Sequence, residues 1–214
     1  MTDASAFQSL AAALGADISM EGAQRLLAYL DAMLDENTRV NLTAVRDREA
    51  AVMFHALDSV ALGCVGLERV PKKALDIGTG NGFPGVAIAC LYPGAHVLLM
   101  DRTLKKLKAI TRALEAAGFD LSQFDTVQMD AAEAPAHGHN GQFDLITTRA
   151  VGPPVEMGRL ASPLLASRGR LVTWLSDETK SPQTFKGGLH RVGEVAYTLP
   201  EPANRVRRLA HYGF

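Results

Sequence analysis

Two cysteines, Cys64 and Cys90, are all that the 214 residues contain, and they lack the close spacing of a metal-binding pair. A disulfide framework and a zinc knuckle are therefore excluded, and both thiols are expected to be buried in a reducing compartment. No apolar run of about 18 residues exists, so no membrane-spanning helix is expected. The first residues, MTDASAFQSL, lack the basic stretch and apolar segment of a secretory signal. The expected location is cytoplasmic, with no membrane partner. Aromatic residues are scarce, at 6%, while alanine is frequent, which suits helices packed on a sheet. With 47% apolar residues, the length suffices for one well-buried core and not comfortably for two.

An excess of one charge is also missing. The net charge of −1 does not advertise a nucleic-acid binder, but its distribution is uneven. Residues 1–36 hold the acids Asp3, Asp17, Glu21, Asp31, Asp35 and Glu36 against the single base Arg25. Residues 102–112 hold Arg102, Lys105, Lys106, Lys108 and Arg112 and no acid. Arg205, Arg207 and Arg208 follow near the end. A polarised molecule carries a basic face at zero net charge.

Apolar periodicity predicts helices over 5–15 and 20–38, the second from Ala23, Leu26, Leu27, Leu30, Met33 and Leu34. A third helix is expected from Arg48 to Val65. Residues 1–70 thus form a helical N-terminal extension packed on the same domain, and 71–214 form the core. In the core, strands are expected at 73–77, 96–100, 124–129, 143–147 and 169–175. Helices are expected at 83–91, 104–117 and 153–166. The last 30 residues, with Gly187-Gly188 and the prolines Pro200 and Pro202, suggest a terminal antiparallel pair. Alternation at this spacing argues for an α/β fold with a parallel sheet. The stretch APAHGHNGQ at 134–142 reads as a surface loop, and no metal site is expected.

The strongest signal is LDIGTGNGFPG at 75–85. A strand end, a glycine-rich turn and a helix start turn backbone N–H groups toward a ligand. A dinucleotide fingerprint needs glycine at 83, where Phe83 stands; the glycines are 78, 80 and 82. This is the variant suited to S-adenosylmethionine, with an NAD-dependent Rossmann enzyme as the alternative. Gly78 and Gly80 would admit the methionine part, and Asp76 would take its ammonium directly or through water. Asp101, at the end of the next strand, suits a ribose diol, because a carboxylate accepts two hydrogen bonds. Asp130, with Ala131 and Ala132, would lie beside the adenine. The cofactor-binding set is Asp76, Gly78, Gly80, Phe83, Asp101, Asp130, Ala131, Ala132 and Arg149.

The chain resembles the bacterial small-subunit rRNA methyltransferase G family, also called GidB. Asn41-Leu-Thr-Ala, His55-x-x-Asp58-Ser59, the loop DIGTGNGFPG, Asp101 followed by Lys105-Lys106, and FDLITTRA at 143–150 carry the resemblance, over roughly residues 34–175. It implies a Rossmann-like class I S-adenosylmethionine-dependent methyltransferase that methylates N7 of a guanine in 16S ribosomal RNA of the 30S subunit. Glu36, Arg102 and Asp130 depart from the family pattern, as does the lack of a lysine in Thr173-Trp174-Leu175-Ser176. A cofactor-binding ribosome-assembly factor with little catalysis remains a second class, and a monomer is expected.

Guanine N7 carries a free lone pair, so attack on a sulfonium methyl needs no general base. Catalysis would then be proximity and orientation. Arg149, after a strand at the carboxyl edge, is the first catalytic or positioning candidate. His55 and Asp58 lie one helical turn apart and share a face; the resemblance brings them toward the active-site mouth with Asn41. Lys105, Lys106 and Arg112 are candidates for phosphate contact, as is Asn41 for RNA.

Overall fold

The computed structural model describes residues 1–176, 178–201 and 203–214; Pro202, one of the prolines expected to flank the terminal pair, lies outside the described residues. Helix α1 (Ala4–Leu14) starts where Asp3 accepts the Ala6 N–H. Helix α2 (Met20–Asn37) starts where the Ser19 hydroxyl accepts the Gly22 N–H at 3.0 Å. Each cap answers one of the N–H groups that a helix start leaves without a partner.

The helix expected over 48–65 is broken. It comprises α3 (Arg48–Ala51), a π turn (Val52–Leu57), α4 (Asp58–Val60) and a 3₁₀ turn (Ala61–Val65). The Asp58 N–H bonds to the carbonyls of Met53 and His55 and passes over that of Phe54. The Phe54 carbonyl instead accepts from Arg149, and the Asp58 carbonyl accepts from Trp174. Side chains of the sheet thus take acceptors that a continuous α-helix would use internally. Apolar periodicity does not register that competition.

The core is a sheet of β1 (Lys73–Ile77), β2 (His96–Asp101), β3 (Phe124–Gln128), β4 (Phe143–Thr148), β5 (Leu165–Leu175), β6 (His190–Leu199) and β7 (Arg205–Gly213). The strand order is β3-β2-β1-β4-β5-β7-β6. The first five strands run parallel to one another; β7 lies antiparallel between β5 and β6. The terminal pair is therefore built into the sheet, with the last strand innermost. Helices α5 (Gly85–Leu91), α6 (Leu104–Ala116) and α7 (Pro154–Ala161) make three of the crossovers, and a 3₁₀ turn (Ala134–His137) lies in the one from β3 to β4. Helix α7 ends and β5 begins earlier than expected. Pro163 has no N–H to continue a helix, and its carbonyl and that of Leu164 accept from Gly141, Gln142 and Phe143.

Residues alternate across each strand, and the two faces bury different partners. Ala74, Val97, Leu99, Leu145 and Val172 join α1, α2, α5 and α6 in one apolar cluster. Leu75, Ile77, Leu98, Met100, Ile146 and Leu171 join Met157 and Leu160 of α7 in another. The helices before β1 share the first cluster, so the same packing that buries them brings residues 42–58 beside the carboxyl ends of the strands. Among the described residues, no helix is long and apolar enough to cross a membrane.

Candidate active site

In open α/β sheets, ligands bind beyond the carboxyl ends of the strands, where the order of connection reverses. Here β1 is flanked by β2 and β4, and a cleft of about 1100 Å³ opens at that edge. It is lined by Gly78, Gly80 and Phe83 after β1, Asp101 at the end of β2, and Asp130 and Ala131 after β3. Thr148 and Arg149 line it from β4, and Trp174 from β5. Thr43, Phe54, His55 and Asp58 close it from the helical side.

The glycine loop is held from beneath and from the side. Asp76 is fully buried; one carboxylate oxygen accepts the Gly85 N–H at 3.0 Å and the other accepts the Thr147 hydroxyl at 2.7 Å. Burial pushes its carboxyl up to about 6, with both hydrogen bonds acting the other way. Asp76 is not among the residues that line the cleft, so the direct contact with a ligand's ammonium expected from the sequence is not prepared here; the carboxylate clamps the loop to β4 and α5. From the side, Tyr29 of α2 donates its hydroxyl to the Asn81 carbonyl at 2.9 Å. A Cβ on Gly82 would lie 1.9 Å from that hydroxyl, and its φ of +88° already favours glycine. Gly78, with φ +67°, faces Val151, where a Cβ would meet Cγ2 at 2.5 Å.

Asp101 lines the cleft and accepts the N–H groups of Gly80 (3.0 Å) and Thr103 (2.8 Å). A carboxylate has about four acceptor positions, so capacity for a diol remains. Asp130 accepts the Ala132 N–H at 3.0 Å and stands 3.7 Å from Arg102. Two of the departures from the family pattern thus answer each other. Ala131 lines the cleft; Ala132 is exposed and does not, because its N–H turns back to cap Asp130. Phe83 turns its ring inward, edge-on to Tyr29 (5.4 Å) and stacked with His55 (6.0 Å).

Arg149, His55 and Asp58 converge at the floor. Arg149 donates to Asp58 Oδ2 (3.0 Å) and to the carbonyls of Phe54 (3.1 Å) and Phe83 (3.4 Å). His55 Nε2 lies 2.9 Å from the Thr43 hydroxyl. Burial, aided by the Arg149 charge, pushes its imidazole down to about 4, so it is neutral at pH 7. The shared face read from the spacing of His55 and Asp58 is present, although a π turn delivers it.

The RNA candidates separate. Lys106 lines the cleft mouth, while Lys105 is exposed on α6 outside it. Arg112 is corrected: its guanidinium holds the buried Glu36 of α2, with Nε 3.1 Å from Oε1. It is a tether between two helices, and Glu36 stands in the position it needs. Asn41 is exposed and outside the lining, which Leu42 and Thr43 provide instead. Sequence reasoning missed Thr43, Phe54, Trp174 and Arg207 as lining residues. Trp174, the single tryptophan and at a strand end, carried the clearest signal.

The family described as rRNA small subunit methyltransferase G matches residues 22–183. The protein named Ribosomal RNA small subunit methyltransferase G of Syntrophotalea carbinolica is 33% identical over 168 residues, covering 77% of this chain and 74% of that protein. The protein of the same name from Leptothrix cholodnii is 34% identical over 178 residues, covering 81% and 77%. Among solved structures, a mutant of MtNAS in complex with S-adenosylmethionine superimposes with a TM-score of 0.59 at 14% identity, covering 98% of this chain and 77% of that one. A SAM-dependent methyltransferase from Aquifex aeolicus gives 0.56 at 12% identity, covering 77% and 93%. At such identities the structures speak for the fold, which is that of class I methyltransferases. The sequence match speaks for more: the chain belongs to the rRNA small subunit methyltransferase G family.

Proposed function

We propose that the chain transfers the methyl group of S-adenosylmethionine to N7 of a guanine in 16S rRNA, acting as a cytoplasmic monomer on the small subunit. The observation that carries this is convergence. The glycine turn at Gly78 and Gly80, the Asp101 carboxylate and Arg149 meet in one cleft, in a chain of this family.

The residues fit the cofactor. Gly80 leaves the backbone open where the methionine part would lie, and Gly78, packed on Val151, makes the left-handed turn beside it. Asp101 keeps acceptor capacity for a ribose diol, and Asp130 with Ala131 offers a site beside an adenine. Bound there, S-adenosylmethionine supplies an electrophilic methyl group on a sulfonium.

The chain supplies placement and electrostatics. N7 of guanine needs no base, and the two buried titratable groups of the floor are already engaged, His55 Nε2 with Thr43 and Asp58 with Arg149. A neutral His55 adds no positive charge where the methylated base becomes cationic. Arg149 is compensated by Asp58 for the same effect. The rate then comes from holding two reactants in line. Phe54 and Trp174 line the cleft and are the candidates to stack on an unstacked base, the usual mode for single-stranded RNA.

The test is titration with S-adenosylmethionine, then transfer of a labelled methyl to deproteinised 16S RNA and to 30S particles. Mass mapping should place the label on a guanine as an N7-methyl. Cofactor binding without transfer to either substrate would favour an assembly role and overturn the proposal.

A further inference from the structure

Asp58 is 2% exposed and belongs to the helical segment, yet strands of the sheet hold it from several directions. Arg149, just after β4, reaches Oδ2 at 3.0 Å. Tyr197 of β6 donates its hydroxyl to Oδ1 at 2.6 Å. Trp174 of β5 donates its indole N–H to the Asp58 carbonyl at 2.8 Å. Arg149 also donates to the Phe83 carbonyl at the end of the glycine loop. A continuous line of contacts therefore runs from Tyr197 through Asp58 and Arg149 to Phe83.

A buried carboxylate is costly unless its lone pairs are answered. Arg149 answers one oxygen and Tyr197 the other. Burial and the neighbouring Asp58 charge push the Tyr197 phenol well above its usual range, so it remains a donor. Without that donor, Oδ1 is left to Arg207, whose Nε at 3.8 Å is too far for a hydrogen bond, and to the same Arg149 guanidinium. Arg149 is then drawn toward Asp58 and away from Phe83, its longest contact at 3.4 Å.

We propose that Tyr197 is a positioning residue: by holding Asp58 Oδ1 it fixes Arg149 against the Phe83 carbonyl and keeps the glycine loop in its binding form. Tyr197 lies beyond residues 22–183, the stretch that matches the family. The β6–β7 hairpin is thereby part of the cofactor site without lining the glycine loop. The inference rests on the proposed function only in what the loop binds.

The test is Tyr197→Phe, which keeps the ring and removes the donor. In the ligand-free variant, amide hydrogen exchange over residues 78–85 should quicken at least tenfold relative to amides of α1. Affinity for S-adenosylmethionine should fall about tenfold, the effect of losing one charge-assisted hydrogen bond. In an Arg149→Lys background, which keeps the charge on Asp58, Tyr197→Phe should add nothing further; a merely structural tyrosine would act additively. Trp174→Phe, made in parallel, removes a donor to the Asp58 backbone carbonyl and leaves Oδ1 held, so it should change exchange over 78–85 less. If Tyr197→Phe does not fold, Tyr197→His, which keeps a ring donor, is compared with Tyr197→Ala by the same exchange. Unchanged exchange over 78–85, or full additivity with Arg149→Lys, would overturn the inference. The exchange readout needs neither cofactor nor RNA, so wild-type protein that fails to methylate 30S particles sinks the proposed function and leaves this result to be read alone.

Discussion

The Asp101 carboxylate accepts the Gly80 N–H at 3.0 Å, so the end of β2 and the glycine loop hold each other before any ligand arrives. Asp101 therefore holds the loop, and in the proposed function it would hold a ribose as well. Asp101→Ala should weaken S-adenosylmethionine binding by about 1–3 kcal/mol, from the lost acceptor and the loosened loop together. Calorimetry on the folded variant checks this. An unchanged dissociation constant would mean that Asp101 does not hold the ribose.

Gly78 combines a φ of +67° with a close neighbour, Val151. Gly78→Ala puts a methyl into both problems at once. The expected stability loss is about 1–3 kcal/mol from the backbone conformation, and cofactor binding should be lost or greatly reduced. Gly78→Ala paired with Val151→Ala should recover part of the stability, because the Cγ2 contact disappears. No recovery would show that backbone conformation alone sets the cost.

His55 gives the pH dependence its sign. Its folded imidazole is pushed down to about 4, while an unfolded histidine protonates near 6.5. The unfolded chain thus binds the extra proton first as pH falls. His55 stabilises the fold above about 6.5, and that contribution is lost between about 6.5 and 4, by up to about 3 kcal/mol. Asp76 acts oppositely in much of the same window. Its carboxyl is raised to about 6, so the folded state holds a proton that the unfolded chain has released, and its contribution falls as pH rises from about 4 to 6. Wild-type protein should therefore show a flat acid limb. His55→Gln should remove the histidine part, so that its stability relative to wild type improves steadily from pH 7 to pH 4. Denaturant titrations at several pH values measure it; a pH-independent difference would place His55 in contact with solvent.

The part of the site carried by local spacing was legible. The strand, the loop 78–85 and Asp101 lie within one β-α-β unit, where sequence distance fixes spatial distance. The place of Asp76 before the loop says nothing about which way the carboxylate turns; Thr147, 71 positions away, decides it. Arg112 was misread for the same reason, since Glu36 is 76 positions away. The floor of the cleft was half visible. His55, Asp58 and Arg149 stand out as chemistry-bearing residues, but Tyr197, 139 positions beyond Asp58, carries no local mark of their company. The π turn was invisible, because hydrophobic periodicity records burial and not which carbonyl each N–H chooses.

The basic segment after β2 can now be divided by structure. Lys106 lines the cleft mouth and Lys105 lies exposed beside it on α6, while Arg112 is spent on Glu36. RNA phosphate contact should therefore belong to the first turn of α6 and not to Arg112 farther along it. Lys105→Glu with Lys106→Glu should reduce affinity for 30S particles and flatten the dependence of log K on log salt by up to about two contacts. Affinity for S-adenosylmethionine should stay nearly intact, since neither lysine belongs to the glycine loop. Arg112→Ala should do the reverse. It strips a partner from a buried carboxylate, so the melting temperature should drop while the salt slope stays as in wild type. The two results together discriminate: a salt slope that responds to Arg112 and not to Lys105 and Lys106 would move the RNA path toward α2 and the acidic helices. That route is the less favoured electrostatically, because residues 1–36 carry six acids against one base.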